Sequence, residues 1–371
     1  MRINYRLLIP IVALSALAIR EAALELRPSY LRPGLRLFAY VANTGDGTLS
    51  AIDLVKLSTA ATIPVGPEPS GVRAHPSRNE IWGISSGGAY VWILDAASEQ
   101  IVDRIPLGGS AYALDFSPDG KRAYVAVTGS NRLVAIDCGT RQIVGRARTG
   151  RRPFVARVSR DGARVIVSNR DDDTVSIFAA ANLAALAVVP VAPHPEQIAI
   201  LPDNSKAFVS SGTTAEVSVV DLRRNVLVAN LSLAGKPDGL VVKPDGGEVY
   251  VPSAEAHGLI IINAQTNEVG DFVLLGSAPG FATLDGGTQS LYVSDTAAGH
   301  VIPVAVDVRR AAPPISAGQA PQNSQLTPGG DILAVVDTAS DELAVVRTKT
   351  GSLITLIPTG ANPRDLAIKV F

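Results

Sequence analysis

From Pro69 to Pro363 the chain repeats itself every 42 residues, without an insertion or a deletion. A proline in a short loop phrase marks the beat. It occurs in "VGPEPSG" (Pro69), "TGRRPFV" (Pro153), "VAPHPEQ" (Pro195), "LAGKPDG" (Pro237), "LGSAPGF" (Pro279), "AGQAPQN" (Pro321) and "TGANPRD" (Pro363), with Ala111 standing in once. A second column is an apolar tetrad: "YVAN" at 40, then "WGIS", "YVAV", "IVSN", "FVSS", "YVPS", "YVSD" and "AVVD". A third closes a β-branched run and reads Asp53, Asp95, Asp137, Ala179, Asp221, Asn263, Ala305 and Arg347. Self-similarity at a fixed period of this length is the mark of a repeat architecture.

Each unit reads as strand, tight turn, strand, loop, strand, turn, strand. Val and Ile fill the strands, and Gly, Pro, Asp and Asn punctuate them, which leaves no room for an amphipathic helix. Four short strands in about 42 residues describe one antiparallel blade of an all-β propeller. A blade cannot bury both faces alone, so blades stack around an axis and close a ring. The chain enters the repeat at "RLFAYVANT", a second strand, and leaves at "PRDLAIKVF", a first strand. Pairing residues 364–371 with 37–65 predicts a composite eighth blade, and with it an eight-bladed single domain over 36–371. Seven blades, with one unit displaced, is the alternative. Closure by a composite blade also removes two exposed sheet edges.

The repeat decides how the polar clusters are read. "SPDG" at 117–120 returns in altered form in most units, always between the first and second strands. Pro sets the turn, Asp caps a backbone N–H and Gly takes positive φ, so the cluster is a turn and needs no chemistry. The strand-ending aspartates are read in the same way, as Asx caps.

Composition bounds the rest. Hydrophobic residues make up 47% and charged residues 18%, as in a well-buried globular chain. The net charge of -1 offers no global attraction to nucleic acid or anionic lipid. "RTGRRPFVARVSR" is the most basic stretch, and acidic residues follow it closely. Cys138 is the sole cysteine, which excludes a disulfide framework, and no nucleophile elbow, Walker loop or His-Glu-x-x-His motif is present. Arg2 and Arg6 precede an apolar run from Leu7 to Ile19, too short for a span of roughly 20 residues. Residues 1–20 are therefore expected to be a signal peptide or N-terminal anchor and 21–35 a linker, making the protein exported, periplasmic or secreted.

Function is sought where units differ, on loops. The positions flanking the repeated proline bring Arg151, Arg152, His194, Glu196, Lys236 and Asp238 into one sector of one face, with Arg364 and Asp365 in the closing unit. The plain reading is a solvated rim of internal ion pairs; the sharper one is a site for a small ligand, an anion or a protein partner. Asp171, Asp172 and Asp173 on the neighbouring loop are too contiguous to converge on a cation without a special loop. His194, His257 and His300 map to the same face, and the latter two are the weak candidates for a metal or axial haem ligand.

The tetrads "YVAN", "YVSD" and "FVSS", followed by "VSVVDL" and "TG..P", resemble the YVTN-type β-propeller repeats, and the resemblance covers everything after about residue 36. It is specific for fold and loose for function. Such propellers include exported proteins of unknown role, cell-surface proteins, lactonase-like hydrolases and the haem-binding propeller of a nitrite reductase. The chain is read as a monomeric scaffold that binds a protein partner or small molecule, with no cofactor assigned and haem or a divalent cation left open. The alternatives are a hydrolase with a rim-bound cation or a haem-binding redox propeller. A hydrolase requires Glu196, Asp238 and Asp365 to converge on a metal; a haem protein requires a rim histidine pointing into a cavity.

Overall fold

The computed structural model describes residues 36–287 and 290–371, so the segments expected to be a leader (1–20) and a linker (21–35) lie outside the described residues. Eight antiparallel sheets form a ring, one per repeat. We number the blades by their innermost strands: blade 1 Pro69–Ala74, blade 2 Ala111–Phe116, blade 3 Pro153–Val158 and blade 4 Pro195–Ile200. Blade 5 follows with Val241–Val242, blade 6 with Pro279–Asp285, blade 7 with Pro321–Leu326 and blade 8 with Pro363–Val370. Blade 8 is the expected composite. Its inner strand pairs with Leu37–Asn43, with Tyr40 opposite Ala367, and Arg36 and Phe371 exchange backbone hydrogen bonds of 2.8 and 3.1 Å at its end.

Burial follows position in the blade. The second strands, such as Leu37–Asn43 and Glu80–Ser85, are buried along their whole length. The fourth strands, such as Gln142–Arg148, alternate between half-buried and exposed, as a sheet with one face to solvent requires. The apolar core is distributed between blades: Trp82, Ile84 and Val91 of blade 1 pack with Val125, Val134 and Ile136 of blade 2, and each cluster repeats this across a joint. Tyrosines of the tetrad column add polar ties, Tyr124 donating to the Ala180 carbonyl of the next blade at 2.8 Å.

The recurrent polar clusters are turns. Asp119 accepts from the Ser117 hydroxyl (2.6 Å) and the Lys121 amide (3.0 Å), and Gly120 stands at φ 68°. Asp137 accepts from the amides of Gly139 and Thr140 at 2.9 and 2.7 Å, and Asp53, Asp95 and Asp221 repeat the cap. Cys138 is buried in such a turn, where burial pushes its thiol up to about 12 and leaves it unreactive.

Candidate ligand site at the channel mouth

The eight inner strands enclose an axial channel. Just after the repeated proline the pairing with the second strand shifts register, between Pro69 and Val72 in blade 1 and between Pro153 and Ala156 in blade 3. Such a bulge re-aims side chains. Here the residues next after the proline, Tyr112, Phe154 and Asp238 among them, line the channel mouth, while those four positions after it, such as Arg73 and Arg157, stand deeper. The result is a cavity of about 800 Å³, open toward the face that carries Thr44, Glu68, Ser86 and Asn362. That size is within the range of small-molecule and cofactor sites.

One wall is aromatic. The rings of Tyr112 and Phe154 lie 5.5 Å apart, and Tyr112 is 40% exposed. The Arg170 guanidinium sits 3.3 Å from the centre of the Phe154 ring and pairs with Glu196 at 2.7 Å. Arg170 can do this because it departs from its column. In four other blades the equivalent position is a threonine whose hydroxyl donates to the next blade's proline carbonyl: Thr44 to Pro69, Thr128 to Pro153, Thr296 to Pro321 and Thr338 to Pro363. A cation over an aromatic face, partly desolvated, contributes on the order of 1–2 kcal/mol and holds the Phe154 ring in place.

Deeper in, four charged residues ring the axis. Arg73 pairs with Asp365 at 3.1 Å, and Asp365 also accepts from the Val72 amide at 3.1 Å. Asp115 accepts from the Val158 amide of the next blade at 2.9 Å. Arg157 is different. Its one hydrogen bond goes to its own neighbour's carbonyl, Ala156, at 3.3 Å, and no described carboxylate reaches it within 4.0 Å. The side chain is half-buried and lines the channel, and burial lowers its pKa against the pull of Asp115. Asp238 also lines the cavity; burial pushes its carboxyl up, although the Ala254 amide donates to it at 2.7 Å.

The rim residues expected from the sequence divide into two groups. Asp238, Arg364 and Asp365 border the cavity. Arg151 and Arg152 stand outside it and pair with Asp172 and Asp171, so the consecutive aspartates are partners of the arginine doublet. Hydrogen bonds from Arg151 hold the Asp172 carboxyl below its usual range. Glu196 is engaged by Arg170, with the His194 ring 3.8 Å away, and the Lys236 amide donates to Glu255 at 2.8 Å. His257 bonds the Ser277 carbonyl and His300 opens a third strand. Among the described residues no histidine lines this cavity. Likewise, among the described residues no three His, Cys, Asp or Glu side chains are grouped so as to hold a metal ion.

Arg73 and Arg157 are cavity residues that the reading of the sequence did not single out, whereas Tyr112 and Phe154 stand just after the repeated proline position, among the rim positions it pointed to. A signal was available. Polar residues four places after the proline, Arg73, Asp115 and Arg157, interrupt strands that are otherwise apolar.

No protein-family model matches the chain, and no curated protein is a significant match. Solved structures do match. The structure described as dihydro-heme d1 dehydrogenase NirN in complex with DHE superposes with a TM-score of 0.77 at 17% identity, covering 93% of this chain and 78% of its own. Hydrazine synthase of Kuenenia stuttgartiensis gives 0.59 at 16% identity, covering 76% and 95%. A functionally unknown protein from Desulfotomaculum acetoxidans gives 0.62 at 14% identity, covering 89% and 98%. At these identities the likeness establishes a shared β-propeller fold and nothing of shared chemistry.

Proposed function

We infer that this chain is an exported propeller of the YVTN kind that acts as a binding scaffold and receives a small ligand in the mouth of its channel. The observation that carries the reading is the 800 Å³ cavity with an aromatic wall on one side, where Tyr112 is left exposed and Phe154 is held by Arg170. An exposed Tyr112 beside a half-buried Phe154, at the entrance of a concave, mixed polar and apolar site, suits ligand recognition. The leader pattern supports export, and the described residues include no helix long and apolar enough to cross a membrane.

The test is a thermal-shift screen of small molecules, because anything that binds the native state raises its melting temperature. A hit should lose its shift in both Tyr112→Ala and Phe154→Ala; a hit unaffected by either variant binds elsewhere and overturns the reading. A stoichiometric metal or a Soret band in natively purified protein would instead favour an enzyme. Fractionation, with the mass of the mature N-terminus, tests export.

A further inference from the structure

Two polar side chains on the neighbouring inner strands of blades 3 and 4 face the cavity without a bond to another blade, while Arg364, Gln322 and Asn362 at the mouth are likewise without a side-chain partner among the described residues. One is the Arg157 guanidinium, described above. The other is the Gln197 side-chain amide, on the neighbouring inner strand, which lines the same cavity. The Gln197 backbone amide bonds Ser210, but its side chain has no hydrogen-bond partner among the described residues. This sets both apart from the equivalent residues around the ring. Asp115, Gln325 and Asp365, at the same two positions of their strands, are each committed to a neighbouring blade.

A half-buried guanidinium that no carboxylate contacts directly is costly, and an anion that takes its free N–H groups relieves the cost. Five donors in a fixed fork match the two oxygens of a carboxylate, and an adjacent amide can add another donor. Phe154 precedes Arg157 on the same strand, with Tyr112 beside it on the strand of blade 2. An anion seated at Arg157 would therefore carry its body toward the mouth past two aromatic rings tilted at 53° to one another, one face of Phe154 being covered by Arg170.

We propose that Arg157 and Gln197 form a carboxylate seat, and that the ligand class of this channel is a small aromatic acid whose ring packs against Tyr112 and Phe154. The proposal rests on the small-ligand reading and narrows it to a charge and a shape. Asp365 and Asp115 act on Arg157 only at a distance, the first pairing with Arg73 and both accepting backbone amides, which leaves the guanidinium N–H groups open to a ligand.

The experiment compares benzoate, 4-hydroxybenzoate and indole-3-acetate with the corresponding amides, by calorimetry and thermal shift on the full folded chain. The acids should bind, and the amides should bind at least about tenfold more weakly, as loss of charge-assisted hydrogen bonds implies. Arg157→Gln should remove the preference for acid over amide while leaving residual binding to Phe154 and Tyr112. Its circular dichroism and melting temperature without ligand should match or exceed those of the unsubstituted protein, because a half-buried charge that no carboxylate contacts directly has been deleted. Gln197→Leu should weaken the acids by a smaller factor.

Equal affinity for acid and amide, or an unchanged preference in Arg157→Gln, overturns the carboxylate seat alone. Acids that bind with their affinity unaltered in Phe154→Ala, Tyr112→Ala and Arg157→Gln overturn the channel reading as well. Absence of any response to the acids at millimolar concentration overturns the proposed ligand class.

Discussion

The ring of inner strands has two arcs that solve the same joint differently. From blade 6 round to blade 3 every joint carries a side-chain hydrogen bond from one inner strand to the next. Thr283 donates to the Ser324 carbonyl at 2.8 Å, Gln325 bonds Leu366 and Ile368, Asp365 accepts from Val72, Ser70 donates to Tyr112, and Asp115 accepts from Val158. From blade 3 to blade 6 no described inner-strand side chain makes such a tie. There the equivalent residues are Arg157 and Gln197, both unused, then Ala199, Gly239 and Val241. Blade 5 also retains only Val241–Val242 as its inner strand, and Pro252 stands opposite the stretch left unpaired. A ring tied by one arc can leave the polar groups of the other arc facing the cavity. In this protein stability and ligand contact are thus assigned to different sectors of one symmetric frame.

The largest expected effect comes from cutting the tied arc at its closure. Removing residues 364–371 deletes the inner strand of blade 8 and exposes the edge of Leu37–Asn43. The loss should be comparable with the whole folding free energy, roughly 5–15 kcal/mol, and the truncated chain should show no cooperative melt or should aggregate. A native-like melt would show that ring closure is not what holds the blades.

A single tie should matter less, yet more than any single residue of the open arc. Asp115→Ala leaves the Val158 amide without its acceptor and should cost about 1–3 kcal/mol in denaturant unfolding. Gln197→Ala in the open arc should stay within about 0.5 kcal/mol. Equal costs would erase the distinction between the arcs. Hydrogen exchange reads the same contrast without substitution: the Leu240 amide, on the unpaired stretch of blade 5, should exchange faster than the Val72 amide held by Asp365.

The smallest effect sharpens the comparison through pH. His75, at the far end of the blade 1 inner strand, accepts from the Ser77 and Arg78 amides at Nδ1 and donates from Nε2 to Gly120 of the next blade at 2.9 Å. Burial lowers its pKa, so the folded protein favours the neutral ring. The unfolded chain then binds the extra proton first. Stability should be full above the ordinary histidine value of about 6.5 and decline as the pH falls from there toward the lowered folded value. His75→Ser places at this point the residue that blades 2 and 3 already use, in Ser117 and Ser159. The variant should lose that slope in a pH series of denaturant melts. An unchanged slope would assign the acid sensitivity to other groups.

Much of this molecule was legible as sequence. The 42-residue beat set the strand count and blade boundaries, and the two half-units predicted closure of the ring, because period-two strands and turn residues are local properties. "SPDG" and the strand-ending aspartates were rightly read as turns, since their partners lie two or three residues away. The rim was legible only in part. Arg151 and Asp172 are 21 residues apart, and nothing in their spacing says that they find each other.

The sequence by itself determined the architecture, since each repeat carries its own strand and turn signals and only stacking in a closed ring buries them. It did not determine the site. Arg73 and Arg157 occupy the same place in their repeats and look alike in the chain, but one is paired and the other is not. That difference arises because Asp365 reaches Arg73 across the closure, while Asp115 spends its carboxylate on the Val158 amide. Which charge is left over is a property of contacts between distant blades, and only the tertiary structure decides it.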